Sequence, residues 1–152
     1  MKLQTATRIA IYAVIELAAD EGRQVSAGDI AEKFGISVNH LAKVLRTLGR
    51  AGLVEALRGA GGGYRFRGNA RRDTLLDVVQ LFEDVGPDAD AREASATGEG
   101  RALLRVMGEI DDIARATLSS ITIATMLKLV EQEQHAPSPG ERPAARSSRA
   151  AK

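Results

Sequence analysis

Residues 26–52 read Ser-Ala-Gly-Asp-Ile-Ala-Glu-Lys-Phe-Gly-Ile-Ser-Val-Asn-His-Leu-Ala-Lys-Val-Leu-Arg-Thr-Leu-Gly-Arg-Ala-Gly, and this order leaves the backbone few choices. Ser26 stands where a helix N-cap is needed, three residues before Asp29, which is the spacing of a capping box. Ile30, Ala31 and Phe34 then form one apolar face, and Gly35 suits the left-handed position that ends a helix. Ile36 packs the turn. Ser37 caps a second helix running to about Ala51, with Val38, Leu41, Val44, Leu45 and Leu48 apolar, and Gly52 stops it. Two short helices joined by a tight glycine-containing turn form a helix-turn-helix pattern.

The flanks extend this pattern. Leu3, Ala6, Ile9, Ala10, Ala13, Val14, Leu17 and Ala18 recur at three- and four-residue steps and predict a preceding helix. After Gly52 come two strand-like stretches, Leu53–Leu57 and Tyr64–Arg67, joined by the flexible tip Arg58-Gly59-Ala60-Gly61-Gly62-Gly63. Thr74 to about Phe82 reads as another amphipathic helix. Residues 84–100 are an acidic loop. From Arg101 a long helix carries Leu103, Met107, Ile110, Ala114, Leu118 and Ile121, spaced close to a coiled-coil seam. Ser119, Ser120 and Thr122 are the positions at which it would break or kink.

The expected fold is therefore mainly α with a small β-hairpin wing: a winged helix-turn-helix followed by a long C-terminal dimerisation helix. The divisions are 1–83 for the DNA-binding domain, 84–100 for the acidic loop, 101–133 for the dimerisation region and 134–152 for a basic tail. The tail is rich in Pro, Ser and Ala and is expected to be disordered.

Composition narrows the function. Aromatic residues are only 3% of 152, so aliphatic and alanine packing must fill the core. Cysteine is absent, which excludes disulfides, thiolate catalysis and cysteine-held zinc or iron–sulfur centres. No apolar run approaches the ~20 residues that span a bilayer, and no signal-peptide pattern is present. The expected location is the cytoplasm, with no membrane partner.

The net charge of +1 hides a local asymmetry. Between residues 37 and 73, eight cations (Lys43, Arg46, Arg50, Arg58, Arg65, Arg67, Arg71 and Arg72) face only Glu55 and Asp73. This is the footprint of phosphate binding and predicts double-stranded DNA as partner. Ser37 and the free amides at the start of its helix suit a phosphate. Asn39, His40 and Lys43 would project towards base edges, Asn suiting adenine and Lys suiting guanine. Arg46 continues that face. In the hairpin, Arg58 would enter a narrow minor groove, Gly61 and Gly62 would allow close backbone approach, and Tyr64 and Arg65 would flank the contact. The glycine run lacks the Gly-Lys-Ser/Thr ending of a nucleotide-binding loop.

These stretches, in this order, resemble the Rrf2 family of winged-helix regulators, which includes IscR and NsrR. The likeness rests on Leu3–Ala18, Asp29-Ile30-Ala31-Glu32, Gly35-Ile36-Ser37, Ala51-Gly52-Leu53-Val54 and Arg58-Gly59-Ala60-Gly61-Gly62-Gly63-Tyr64. Asn39-His40 followed by Lys43 is closest to the NsrR branch. The resemblance implies a homodimer joined through the long helix and bound to a dyad-symmetric operator. It also implies that Ser37, Asn39, His40 and Lys43 are recognition-helix contacts and Arg58 a wing contact.

One departure limits what transfers. Family members that hold an iron–sulfur cluster do so through three cysteines in the loop before the long helix, and NsrR-type members add an acidic residue from the first helix. Here the loop has no cysteine and the helix position carries Arg8. No cluster and no other cofactor is expected, and the effector, if any, is open. Constitutive binding, a small ligand between the winged domain and the long helix, and a hard cation at Asp84, Asp88 and Asp90 are the alternatives. The spacing of those aspartates matches no calcium loop. An enzyme is not expected, because no nucleophile and base share a recognisable motif. The competing reading is a winged-helix scaffold for protein interaction.

Overall fold

The computed structural model describes residues 2–84 and 95–136. Helix α1 (Thr5–Ala18) lies at the centre and packs against five other elements. Ile9, Ala10, Ile11, Ala13, Val14, Leu17 and Ala18 are all buried, as expected of a helix apolar on most sides. Thr7 is the buried polar residue of the described core. The N-cap Gln4 does not cap α1 with its own side chain. The Glu83 carboxylate does so from a distance, accepting the Gln4 N–H at 2.7 Å and the Thr7 hydroxyl at 2.5 Å.

Helices α2 (Ala27–Phe34) and α3 (Val38–Arg50) follow the predicted caps closely. Ser26 Oγ accepts the Asp29 N–H at 3.0 Å. The return bond from Ser26 to the Asp29 carboxylate is not made, so this is a single cap rather than the expected box. Gly35 adopts φ 62°, the left-handed geometry, and the Ile36 N–H closes on the Ala31 carbonyl at 2.9 Å. Leu41, Val44, Leu45 and Leu48 place one side of α3 in the core.

Strands β1 (Val54–Leu57) and β2 (Gly63–Phe66) form an antiparallel hairpin with Val54 opposite Phe66, Glu55 opposite Arg65 and Ala56 opposite Tyr64. Val25 adds a third segment beside β2. It exchanges both backbone hydrogen bonds with Tyr64, at 2.9 and 2.8 Å, and so ties the hairpin to the segment that precedes α2.

Helix α4 (Leu75–Val79) is shorter than the predicted Thr74–Phe82 span. It carries a complete capping box: Asp77 N–H donates to Thr74 Oγ1, and Thr74 N–H donates to Asp77 Oδ2. Helix α5 (Gly98–Ser120) starts three residues before the expected Arg101, with Thr97 as its cap. It ends where the hydroxyls predicted, with Ser119 and Ser120 bonding back to the Ala116 and Thr117 carbonyls. Ile121 is extended, and Thr122 opens α6 (Ile123–His135). The region expected as 101–133 is thus two helices, and α6 runs into the segment assigned to the tail. Residues 85–94 and 137–152, which hold most of the predicted acidic loop and tail, lie outside the described residues.

The junction between α5 and α6 is stitched to α4. Leu75 N–H donates to the Ile121 carbonyl, and Ile123 N–H donates to the Asp73 carbonyl, each at 2.9 Å. Ile123 is 1% exposed and belongs to the same core as α1 and α3. The hydrophobic centre of the winged domain is therefore completed from beyond residue 83.

Candidate nucleic-acid interface

With Leu41, Val44, Leu45 and Leu48 inward, 3.6 residues per turn place Asn39, Lys43, Arg46 and Arg50 together on the outer side of α3. All four are exposed. Ser37 supplies the N-cap, its Oγ accepting the His40 N–H at 3.5 Å. His40 is half-buried at the edge of this stripe. The structure thus brings Asn39, Lys43 and Arg46 onto one stripe, leaves His40 at its margin, and engages the Ser37 hydroxyl in capping.

Val38 departs from expectation. Its spacing assigns it to the apolar face of its helix, yet it is 52% exposed. It is the first residue of the helix, before any neighbouring turn can cover it. Ala42, one turn on, is partly exposed on the same side.

In the hairpin, the strand period of two puts Tyr64 and Arg65 on opposite faces. Tyr64 and Phe66 share the inner face and pack against the core with Val54. Tyr64 is therefore a support for the wing rather than an outward side chain. Arg65 points to the other face and is paired: its guanidinium meets the Glu55 carboxylate at 2.9 Å, directly across the ladder. That pairing reduces the charge it offers to a phosphate. Arg58 is exposed at the start of the hairpin loop and makes no ion pair among the described residues. Lys43, Arg46, Arg50, Arg67, Arg71 and Arg72 are likewise exposed and without an ion pair among the described residues.

The tip glycines also have internal duties. The Gly61 carbonyl accepts from the Gln24 amide. A Cβ at Gly62 would lie 2.7 Å from the Leu57 carbonyl oxygen, and one at Gly63 would lie 2.6 Å from that of Val25. Close approach is required here, by the protein's own backbone.

The predicted dimer seam divides in two. Leu103, Met107 and Ile110 are exposed, and so are Val106 and Ile113, which the spacing of the predicted seam passed over. Ala114 is half-buried. Leu118 and Ile121 are packed against the chain's own core, and Ile121 lies beyond the end of α5. The unpartnered stripe is thus Leu103, Val106, Met107, Ile110 and Ile113, while the last two seam positions hold α5 to the body.

Among the described residues no helix is long and apolar enough to cross a membrane. Residues 3–129 match the profile of the Rrf2 family, described as iron-dependent transcriptional regulators. A curated relative from Rhodopseudomonas palustris, BadM, named as an HTH-type transcriptional regulator, is 54% identical over 88% of this chain and 86% of its own length. Among solved structures, T. potens IscR is similar with TM-score 0.74 and 30% identity, over 90% of this chain and 93% of that one. CymR of B. subtilis, titled the global cysteine regulator, gives TM-score 0.73 and 27% identity, over 85% of this chain and 98% of that one. The iron of the family description finds no thiolate donors, because the sequence has no cysteine. Among the described residues no three His, Cys, Asp or Glu side chains gather as a metal would need. Asp84 is described, whereas Asp88 and Asp90 are not.

Proposed function

The chain belongs to the Rrf2 family of transcriptional regulators, and we propose that it is a bacterial, cytoplasmic repressor that binds a dyad-symmetric operator as a homodimer, without an iron–sulfur cluster. The exposed stripe of Asn39, Lys43 and Arg46 on a helix whose other side is core carries this reading. A helix so presented fits the major groove, with its N-terminal residues on base edges. Arg58 on the hairpin would contact the flanking minor groove. The exposed aliphatic stripe of α5 supports pairing with a second copy, which would place two α3 helices on two half-sites. Repression follows most simply, since a dimer seated on an operator excludes polymerase from the same segment.

Selection of duplexes from a random pool by the full-length protein tests the reading. A dyad-symmetric sequence should be enriched, and Lys43→Ala and Arg58→Ala should each weaken its binding by about 1–3 kcal/mol while the dimer persists. If nothing is enriched at low salt, the protein is not a sequence-specific regulator. If both variants bind DNA normally but lose a protein partner, the winged domain is an interaction scaffold.

A second reading, regulation by a small ligand, is favoured by one observation. A cleft of about 500 Å³ opens where the end of α1, the turn after β2 and α6 meet. Ala18, Ala124 and Leu127 give it an apolar side, and Glu21, Asn69 and Arg71 a polar one. A metabolite that raises the thermal midpoint and changes operator affinity would support it; unchanged operator affinity across a broad metabolite panel would count against it.

A further inference from the structure

The cationic stripe does not account for the apolar strip beside it. Val38 is 52% exposed in the first turn of α3, and Ala42 follows on the same side one turn later. Valine is a poorer helix former than alanine, so helix propensity does not explain it there. It stands three and seven residues before Leu41 and Leu45, at the edge of the core side, yet more than half of it stays exposed, so burial leaves most of this side chain unaccounted for. Both residues flank Asn39 and Lys43, within the part of the helix that would enter the groove.

We propose that Val38, assisted by Ala42, is a specificity-determining contact that reads the 5-methyl group of thymine. This rests on the reading of α3 as the recognition helix. The thymine methyl is the apolar group that the major-groove edges of the bases present, and small apolar side chains recognise it by contact. Asn39, adjacent to Val38, suits the N6 and N7 of adenine. The pair together favours A·T at the centre of each half-site contact. Four residues of helix rise about 6 Å against about 3.4 Å per base pair, so the Val38 and Ala42 contacts fall one to two base pairs apart. A G·C pair at the Val38 position would press guanine O6 and N7 against an apolar side chain and leave acceptors unpaired, which selects against it.

The test uses the full-length protein and a duplex that it has selected from a random pool. Each thymine is replaced in turn by uracil, which removes the methyl group alone. At one position per half-site the wild-type protein should bind the uracil duplex about fourfold more weakly. Val38→Ala should bind the thymine and uracil forms of that position equally, with the fold retained in circular dichroism. If every uracil duplex binds like its parent, the inference is overturned while the DNA-binding reading stands. The same holds if Val38→Ala stays as sensitive to the methyl as wild type. If no duplex is selected at all, the reading of α3 fails and this inference fails with it.

Discussion

A methyl group at position 63 would sit 2.6 Å from the Val25 carbonyl oxygen, which is itself bonded to the Tyr64 N–H. The neighbour that would have to yield is backbone, on both sides of a rung. Gly63→Ala is therefore expected to destabilise the fold by about 1–3 kcal/mol, read as a lower urea midpoint. Glu83 offers a second residue-level prediction. Its carboxylate is the acceptor for the buried Thr7 hydroxyl and for the Gln4 N–H. Glu83→Ala should cost about 1–3 kcal/mol, because Thr7 keeps its burial and loses its partner. Neither role was legible in the sequence. Glycines at a hairpin tip are expected to serve a turn or a ligand, and the rung from Val25 joins segments far apart in the chain. Val38 was misplaced for a related reason: periodicity assigns a face, but the first residue of a helix has no preceding turn to bury it. Asn39, Lys43 and Arg46 were legible because the buried leucines opposite them fix the outward side.

Elements set by local chemistry were read well. Ser26, Gly35, Ser37, Thr74 and Thr122 each stand where the structure starts or stops a helix, because a cap depends on three or four adjacent residues. The α4 box makes a prediction at this scale. Thr74→Ala removes the acceptor for Asp77 N–H and should cost about 1 kcal/mol, checked by thermal denaturation. Elements whose faces depend on distant partners were read less well. The spacing from Leu103 to Ile121 resembled one seam, yet Leu118 and Ile121 turn to the chain's own core. The exposed remainder includes Val106 and Ile113. Ile110→Glu should therefore abolish self-association in sedimentation while leaving the helical circular dichroism unchanged. Leu118→Glu should instead reduce the folded fraction. The same outcome for both would show that the division of α5 into two faces is wrong.

At the scale of the molecule, seven basic side chains of α3, the hairpin and the turn after it remain exposed and without an ion pair among the described residues. Counterion release then predicts that operator affinity falls steeply with salt, with a slope that Arg58→Ala makes shallower by about one. Titrations at several salt concentrations check this. The general architecture was legible from the alternation of capped helices and a glycine-rich hairpin. The stitching of Leu75 to Ile121 was not, because no local pattern marks a backbone bridge between separate helices. Ile123, held at 1% exposure by that bridge, makes the hydrophobic centre depend on the C-terminal helices. Ile123→Ala should cost about 2–5 kcal/mol although it lies outside the helix-turn-helix. Chimeras between relatives are constrained accordingly. A grafted reading head carries one half of this contact and leaves the other half behind, so a crossover placed after residue 83 mismatches the two. A crossover placed after Leu127, which also packs against this centre, transfers the head with its own keystone, and operator choice can then be exchanged without re-solving the packing.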